Sequence, residues 1–467
     1  MAERATGTEL LDLGQDFPPV SASEWRAAIE VDLKGAPFDK KLVWRTEEGL
    51  SVKPFYRSED VVALPEQRVA ATWRIAQDAK PGPKAIRADL LHESGAHAVQ
   101  ELGYAIAAGV ERLSALAASQ PAEAAARTIE FVFAVGPFYF VEIAKLRAAR
   151  LLWAQAVAAF GVKSEEAARM HLAVRTPRRN KSMLDRYSNL LRVTTEALSA
   201  VIGGCDELTV EPFGFDPHLA RNVQLVLQEE SHLGAVADPA AGSYYIEVLT
   251  DSLAREGWKL FQQVEAAGGY ARVLASGAIE KAVAETRLAR EKAMSSRRRT
   301  LVGVNNYPDL SEKAPDPAHF EEGAASVLHA RLAEPFERMR QRTAADAVAR
   351  GRYPRVLLLK RGDVKMRGAR ATFCLNFFGC AGFEVVEGDE IAEGADLIVL
   401  CSSDPEYLAL AQEVCPKVQV PVVVAGNPKD QIEALRAAGV EGFVHAQSDM
   451  VETLTKWQDR LGLRRFP

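Results

Sequence analysis

Along the last quarter of the chain, short unbroken apolar runs alternate with polar stretches long enough for a helix. The runs fall at Val356–Leu359, Phe383–Val386, Leu397–Cys401, Val420–Ala425 and Phe443–Val444. A strand covered by helices on both sides has no polar face, so runs without alternation suit a buried parallel sheet. The pattern predicts five βα units in a flavodoxin-like domain, with any ligand at the carboxyl ends of the strands.

Upstream the pattern changes to helical spacing. Leu146, Ala149, Trp153, Ala156 and Phe160 recur at intervals of three and four. So do Tyr187, Leu191, Thr194, Leu198 and Val201, a run stopped by Gly203-Gly204. Each set predicts a helix with one apolar stripe turned to a core. Asp216-Pro217 supplies an N-cap and a first-turn proline for a helix reaching Leu227. Ile129–Val135 and Glu207–Val210 are strand-like, and a long Ala-rich helix is expected around Ala96–Ala117. Alternating βα units predict a TIM-type (β/α)8 barrel. Before Ile129 only Ala71–Ile75 and Ala85–Leu91 offer further strands, so a shortened or incomplete barrel is expected. Four regions follow: an N-terminal docking segment, 1–40, with Trp25 and Leu33 as anchors; the barrel, 41–305; a Pro-rich linker with a charged helix, 306–352; and the βα domain, 353–467.

Composition narrows the partners. The 467 residues are 48% apolar and 26% charged, with a net charge of -6. That balance argues against a duplex nucleic-acid binder, which would carry a basic stripe. No apolar stretch approaches the length of a membrane span, and the first residues show no secretory pattern. Five cysteines without a C-x-x-C pair read as reduced thiols in a cytoplasmic protein and argue against a structural zinc. No G-x-x-x-x-G-K-[ST] loop is present.

Several longer strings carry a resemblance. They are Lys53-Pro-Phe-Tyr56, Phe138-Tyr-Phe-Val-Glu-Ile-Ala-Lys-Leu-Arg-Ala-Ala-Arg150 with Leu-Leu-Trp153, and Ala220-Arg-Asn-Val-Gln-Leu-Val-Leu-Gln-Glu-Glu-Ser231. Asp238-Pro-Ala-Ala-Gly-Ser-Tyr-Tyr245, Val264-Glu-Ala-Ala-Gly-Gly269 and Leu301-Val-Gly-Val-Asn305 complete the set, in collinear order. The chain resembles the methylmalonyl-CoA mutase family, specifically its small (beta) subunit. The resemblance implies a substrate barrel followed by a cobalamin-binding-type Rossmann domain. In catalytic members adenosylcobalamin supplies the radical that interconverts methylmalonyl-CoA and succinyl-CoA, and the protein positions and shields it.

Against that pattern the key positions are changed. Catalytic members carry D-x-H-x-x-G after the first strand of the cobalamin domain, and its His binds cobalt. Here the loop reads Asp363-Val-Lys365-Met-Arg-Gly368. A neutral imidazole offers a lone pair, whereas a lysine ammonium offers none. His445-Ala-Gln-Ser448 replaces the small P-G-T turn near the last strand; His445 reads as a substitute ligand or, more simply, a loop histidine. Ser402-Ser403 is retained, and reads equally as a helix cap. In the barrel, Thr209 stands where a His after Gly203-Gly204 would polarise the thioester carbonyl, and a hydroxyl is a far weaker acid. Arg175 aligns with the family's Gln in Gln-Thr-Ser-Gly.

Two basic clusters, Arg175/Arg178/Arg179/Lys181 and Arg297-Arg-Arg299, read either as CoA-phosphate binders or as ordinary solvated or subunit-contact surface. Cys205 lacks a nearby histidine and is not expected to be a nucleophile. Phe131, Phe133, Phe138 and Phe140 read as packing. The expectation is therefore a non-catalytic small subunit paired with a catalytic large subunit, with no catalytic, cofactor or metal residues of its own and adenosylcobalamin held by the partner. The alternatives are an active acyl-CoA mutase holding cobalamin without a protein His, or an acyl-CoA-binding regulatory module.

Overall fold

The computed structural model describes residues 19–65, 72–77, 81–312 and 331–464. The chain divides into two compact units, Met1–Val61 and Val62–Pro467.

In the first unit, helix α1 (Ala22–Asp32) starts at a capping box. Ser21 Oγ accepts from the Glu24 amide, and the Glu24 carboxylate accepts from the Ser21 amide. A short helix, α2 (Phe38–Lys41), and a two-stranded antiparallel sheet, β1 (Trp44–Arg45) and β2 (Ser51–Val52), follow. Trp25 stacks on Phe55 with ring centroids 4.1 Å apart. Both rings belong to this unit, which runs past residue 40, and Trp25 is still 39% exposed.

The second unit holds two parallel sheets. The first contains β3 (Arg74–Ile75), β4 (Ile86–Arg87), β5 (Glu130–Ala134), β6 (His171–Arg175) and β7 (Glu207–Thr209), in the order β3-β7-β6-β5-β4. Among the described residues it has five strands, and no pairing joins its two edges. Only the start of the Ala85–Leu91 segment is strand; the chain turns at once into helix α3 (Ala88–Ser94). The longer helices of this part are α4 (Ala98–Ala117), α5 (Tyr139–Ala159), α6 (Ser188–Ile202), α7 (Pro217–Leu225), α8 (Tyr244–Ala266) and α9 (Ala278–Ser295). The core sits between β5 and α5, where Phe131 meets Trp153 edge to face at 4.8 Å, with Phe133 buried alongside. α4 comes so close that a Cβ on Gly109 would lie 2.6 Å from the Phe131 ring. Phe140, by contrast, is half exposed.

Helix α10 (Glu334–Arg350) leads into the second sheet. Its strands are β8 (Arg355–Lys360), β9 (Glu384–Gly388), β10 (Leu397–Cys401), β11 (Val422–Val424) and β12 (Val440–Phe443), all parallel in the order β12-β11-β10-β8-β9. Counted within this sheet the order is 2-1-3-4-5, the doubly wound order. Helices α11 (Val364–Gly379), α12 (Tyr407–Val414), α13 (Ile432–Ala437) and α14 (Met450–Arg460) connect and cover it.

α10 is more than a linker helix. Phe336 and Met339 belong to one buried apolar cluster with Leu358 and Trp457 of the second sheet's domain and Leu184, Met294 and Val304 of the first part. Gln458 Nε2 donates to the Met339 carbonyl at 2.8 Å. All five cysteines are free thiols, four of them buried. Among the described residues, no helix is long and apolar enough to cross a membrane, and no His/Cys/Asp/Glu group is placed to hold a metal.

Candidate functional site

The doubly wound order opens a crevice between the loops after β8 and β10, where the strand order reverses and ligands of such sheets bind. Asp363 caps α11, its Oδ1 accepting from the Met366 amide at 2.7 Å. Lys365 is exposed on the first turn, and Gly368 is exposed one turn on. Across the crevice stands Glu406, a residue the sequence reading passed over. Its Oε2 accepts from Ser402 Oγ and Ser403 Oγ, both at 2.6 Å. The amides of Ser403 and Asp363 also donate to it, each at 3.2 Å. The Ser402 and Ser403 hydroxyls, then the two amides, hold its pKa down at about 2. Ser403 and Glu406 form a capping box, so the serines act as caps and as half of a clamp. The chain bridges its own crevice with a carboxylate.

Gly362 makes the clamp possible. Its φ is +73°, and a Cβ there would fall on the Glu406 carboxylate. Gly362→Ala is expected to lose about 1–2 kcal/mol from the left-handed backbone alone, readable as a lower denaturation midpoint.

His445 lies at the same edge, partly buried. Its Nδ1 accepts from the Gln447 amide at 3.2 Å, and its own amide donates to Ser448 Oγ at 3.0 Å. Burial first, then the Arg370 charge, lowers its pKa and favours the neutral ring. Arg370 in turn pairs with Asp404 at 3.0 Å.

The carboxyl edge of the first sheet is closed in a different way. Thr209 is buried and its Oγ1 donates to the Ala76 carbonyl at 2.8 Å. Gln77 Nε2 donates to the Val210 carbonyl at 2.5 Å, and Thr176 Oγ1 accepts from the Glu211 amide at 2.8 Å. Arg175, the last residue of β6, pairs with Glu211. The amides of Arg178 and Arg179 donate to the Glu93 carboxylate at 2.6 and 3.0 Å.

The first basic cluster is mostly inward. Lys181 is fully buried against both oxygens of Glu196, at 2.7 and 2.8 Å. Arg179 is buried too, and burial followed by Arg290 brings its pKa down to about 10. Of the four, Arg178 is the one clearly exposed. In the second cluster, Arg297 donates to Asn306 Oδ1 at 2.7 Å and Arg299 lies over the Phe138 ring at 4.8 Å. Burial drives the Cys205 thiol pKa far upward, which removes it as a nucleophile.

A second constellation escaped the sequence reading entirely. Lys145 is fully buried at the end of β5, bonded to Glu101 at 2.8 Å, to Glu142 at 2.5 Å and to the Ala134 carbonyl at 2.7 Å. The His92 ring joins Glu101 through Nδ1 at 2.8 Å. Gly136 closes over this group, where a Cβ would stand 3.0 Å from His92. Glu142 and Lys145 at spacing three look like a solvated helical pair in sequence. Only the fold brings Glu101 and His92 to them.

Fold and site together define an α/β protein with two parallel sheets whose strand-end positions are occupied by its own side chains. Residues 67–350 match the family described as Methylmalonyl-CoA mutase. The chain is 33% identical to the methylmalonyl-CoA mutase small subunit of Porphyromonas gingivalis, over 97% of this chain and 99% of that one. It is 37% identical to the small subunit of Streptomyces virginiae, over 85% of this chain and 67% of the relative. The small subunit of Propionibacterium freudenreichii subsp. shermanii is 30% identical over 86% of this chain and 67% of its own length. The chain belongs to the methylmalonyl-CoA mutase family. The Porphyromonas alignment runs over 613 positions against the 467 residues here, so at least about 150 positions of that relative have no counterpart in this chain.

Proposed function

We propose that this chain is a non-catalytic small subunit that supports a catalytic large subunit in an adenosylcobalamin-dependent methylmalonyl-CoA mutase. Its relatives are small subunits of methylmalonyl-CoA mutases, which supports the pairing. In this reading the first sheet is the remnant of a (β/α)8 barrel and the second is a degenerate cobalamin-binding domain. The reduced thiols suit the cytoplasm.

The observation that carries the proposal is the crevice after β8 and β10. Cobalt ligation there needs a neutral imidazole beside an open crevice; this chain has an exposed Lys365 beside the Glu406 clamp. The residues do not fit the cofactor, and we place adenosylcobalamin in the partner. Thr209 supports the same reading in the barrel region, because its hydroxyl is already spent on the Ala76 carbonyl.

The test is to incubate the purified chain with adenosylcobalamin, desalt it and record its absorbance. No corrinoid is expected to stay with the chain alone, and methylmalonyl-CoA turnover is expected only when the large chain is added. Stoichiometric corrinoid on the isolated chain, or turnover by it alone, overturns the proposal.

A further inference from the structure

Helix α6 carries an apolar stripe that the fold does not fully use. Its inward face, Val193, Ala197, Ala200 and Val201, is buried. Tyr187 and Leu191, which the periodicity assigns to a core-facing stripe, are instead 65% and 69% exposed. With Thr195, also exposed, they repeat every four residues and so form one ridge on the helix. Beside the ridge lies a cleft of about 340 Å³, lined by Leu191, Thr195, Pro137, Leu301, Val302 and Leu332. Val302 adds a further apolar side chain, 48% exposed. Single exposed apolar residues are ordinary, but a ridge and an adjoining apolar cleft mark a contact surface.

The rim is basic, in a chain whose net charge is -6. Arg186 lies over the Tyr187 ring at 5.0 Å. Arg192 reaches across the cleft to the Val302 carbonyl at 2.6 Å, and Arg299 lines the cleft's far side. Two carboxylates lie nearby and both are engaged: Asp185 accepts from Ser188 Oγ at 2.5 Å, and Glu312 accepts from the Asp185 amide at 2.6 Å and pairs with Arg340 at 2.8 Å. A symmetric dimer through this face would set one basic rim against another, which like-charge repulsion disfavours. The face therefore suits a different chain.

We infer that the Tyr187–Leu191 ridge and the Val302 cleft form a docking surface for the catalytic large subunit, which meets it with an apolar segment flanked by carboxylates. The inference rests on the small-subunit reading and adds where the partner sits. The exposed aromatic and leucine anchor the contact, since a few central apolar side chains carry most of the energy of an interface. The arginines set register and on-rate.

The test measures the Kd between this chain and the large chain from the same organism for wild type, Leu191→Asp, Arg186→Glu and, as a control on an exposed site elsewhere, Val348→Asp. Leu191→Asp is expected to weaken binding about 100-fold. Arg186→Glu is expected to weaken it about tenfold at low salt and less at high salt. Val348→Asp is expected to leave it unchanged. Thermal melts of the isolated variants should match wild type. A wild-type chain that ignores the large chain sinks the small-subunit reading itself. Tight wild-type binding that Leu191→Asp does not weaken sinks only this surface. So does a fall in the melting temperature of isolated Leu191→Asp, which would show the ridge covered by the chain's own residues.

Discussion

Lys145→Met is expected to cost about 3–5 kcal/mol of stability, the penalty for leaving buried charge unpaired. Burial opposes the Lys145 charge, but the Glu101 and Glu142 carboxylates outweigh burial and hold its pKa above the ordinary lysine value. Remove the ammonium and two carboxylates face each other in a space that excludes water, beside an Ala134 carbonyl that has lost its donor. Lys145→Met should therefore melt far earlier than wild type in calorimetry. Adding Glu142→Gln should restore part of the loss, because one of the stranded charges disappears with it. A Lys145→Met protein that melts like wild type would mean that the ammonium is structurally idle.

The second large effect is on acid stability and comes from His92. Burial first, and the nearby Lys145 charge second, bring its pKa down from 6.5 to about 3. Between those values the unfolded chain binds a proton that the folded chain refuses. The histidine's contribution is complete above pH 6.5 and is lost as pH falls, at about 1.4 kcal/mol per pH unit. Going from pH 7 to pH 5 should remove about 2 kcal/mol. Burial raises the pKa of Glu101, which acts in the opposite sense over part of this range. The clean readout is thus the stability difference between wild type and His92→Gln, an amide that can still donate to Glu101. That difference should shrink by about 2 kcal/mol over the two units. If it stays constant, His92 gains its proton in the fold as readily as in the unfolded chain.

The sequence was most transparent where one signal dominated. Each of the five apolar runs near the C-terminus meets a strand: β8, β10 and β11 are covered on both faces and apolar through their middles, whereas the edge strands β9 and β12 carry Glu384, Glu387 and Glu441, and the last run meets β12 only at Phe443. β6 was harder to see. His171-Leu-Ala-Val-Arg175 is too short and too mixed to stand out as an apolar run. The Tyr187 to Val201 periodicity located α6 correctly, yet periodicity cannot say whether a stripe meets its own core or another protein. At the site, Lys365 and Thr209 could be picked out because a family pattern named their positions. Glu406 could have been suspected from Ser403-Asp-Pro-Glu406, a capping-box string, but its reach to Ser402 and to the Asp363 amide depends on two strands lying side by side. The Lys145 group gave no local warning, since its members are scattered from residue 92 to 145.

The oil shared across the second unit has a mechanical consequence. Leu184, Met294 and Val304 interlock with Phe336, Met339, Leu358 and Trp457 in a single dry cluster. Parting the first sheet from the second would wet these side chains together, so neither layer can swing as a door against the other. Torque applied at one end of this unit reaches the far end as rotation of a solid block, which makes this unit a strut and not a hinge.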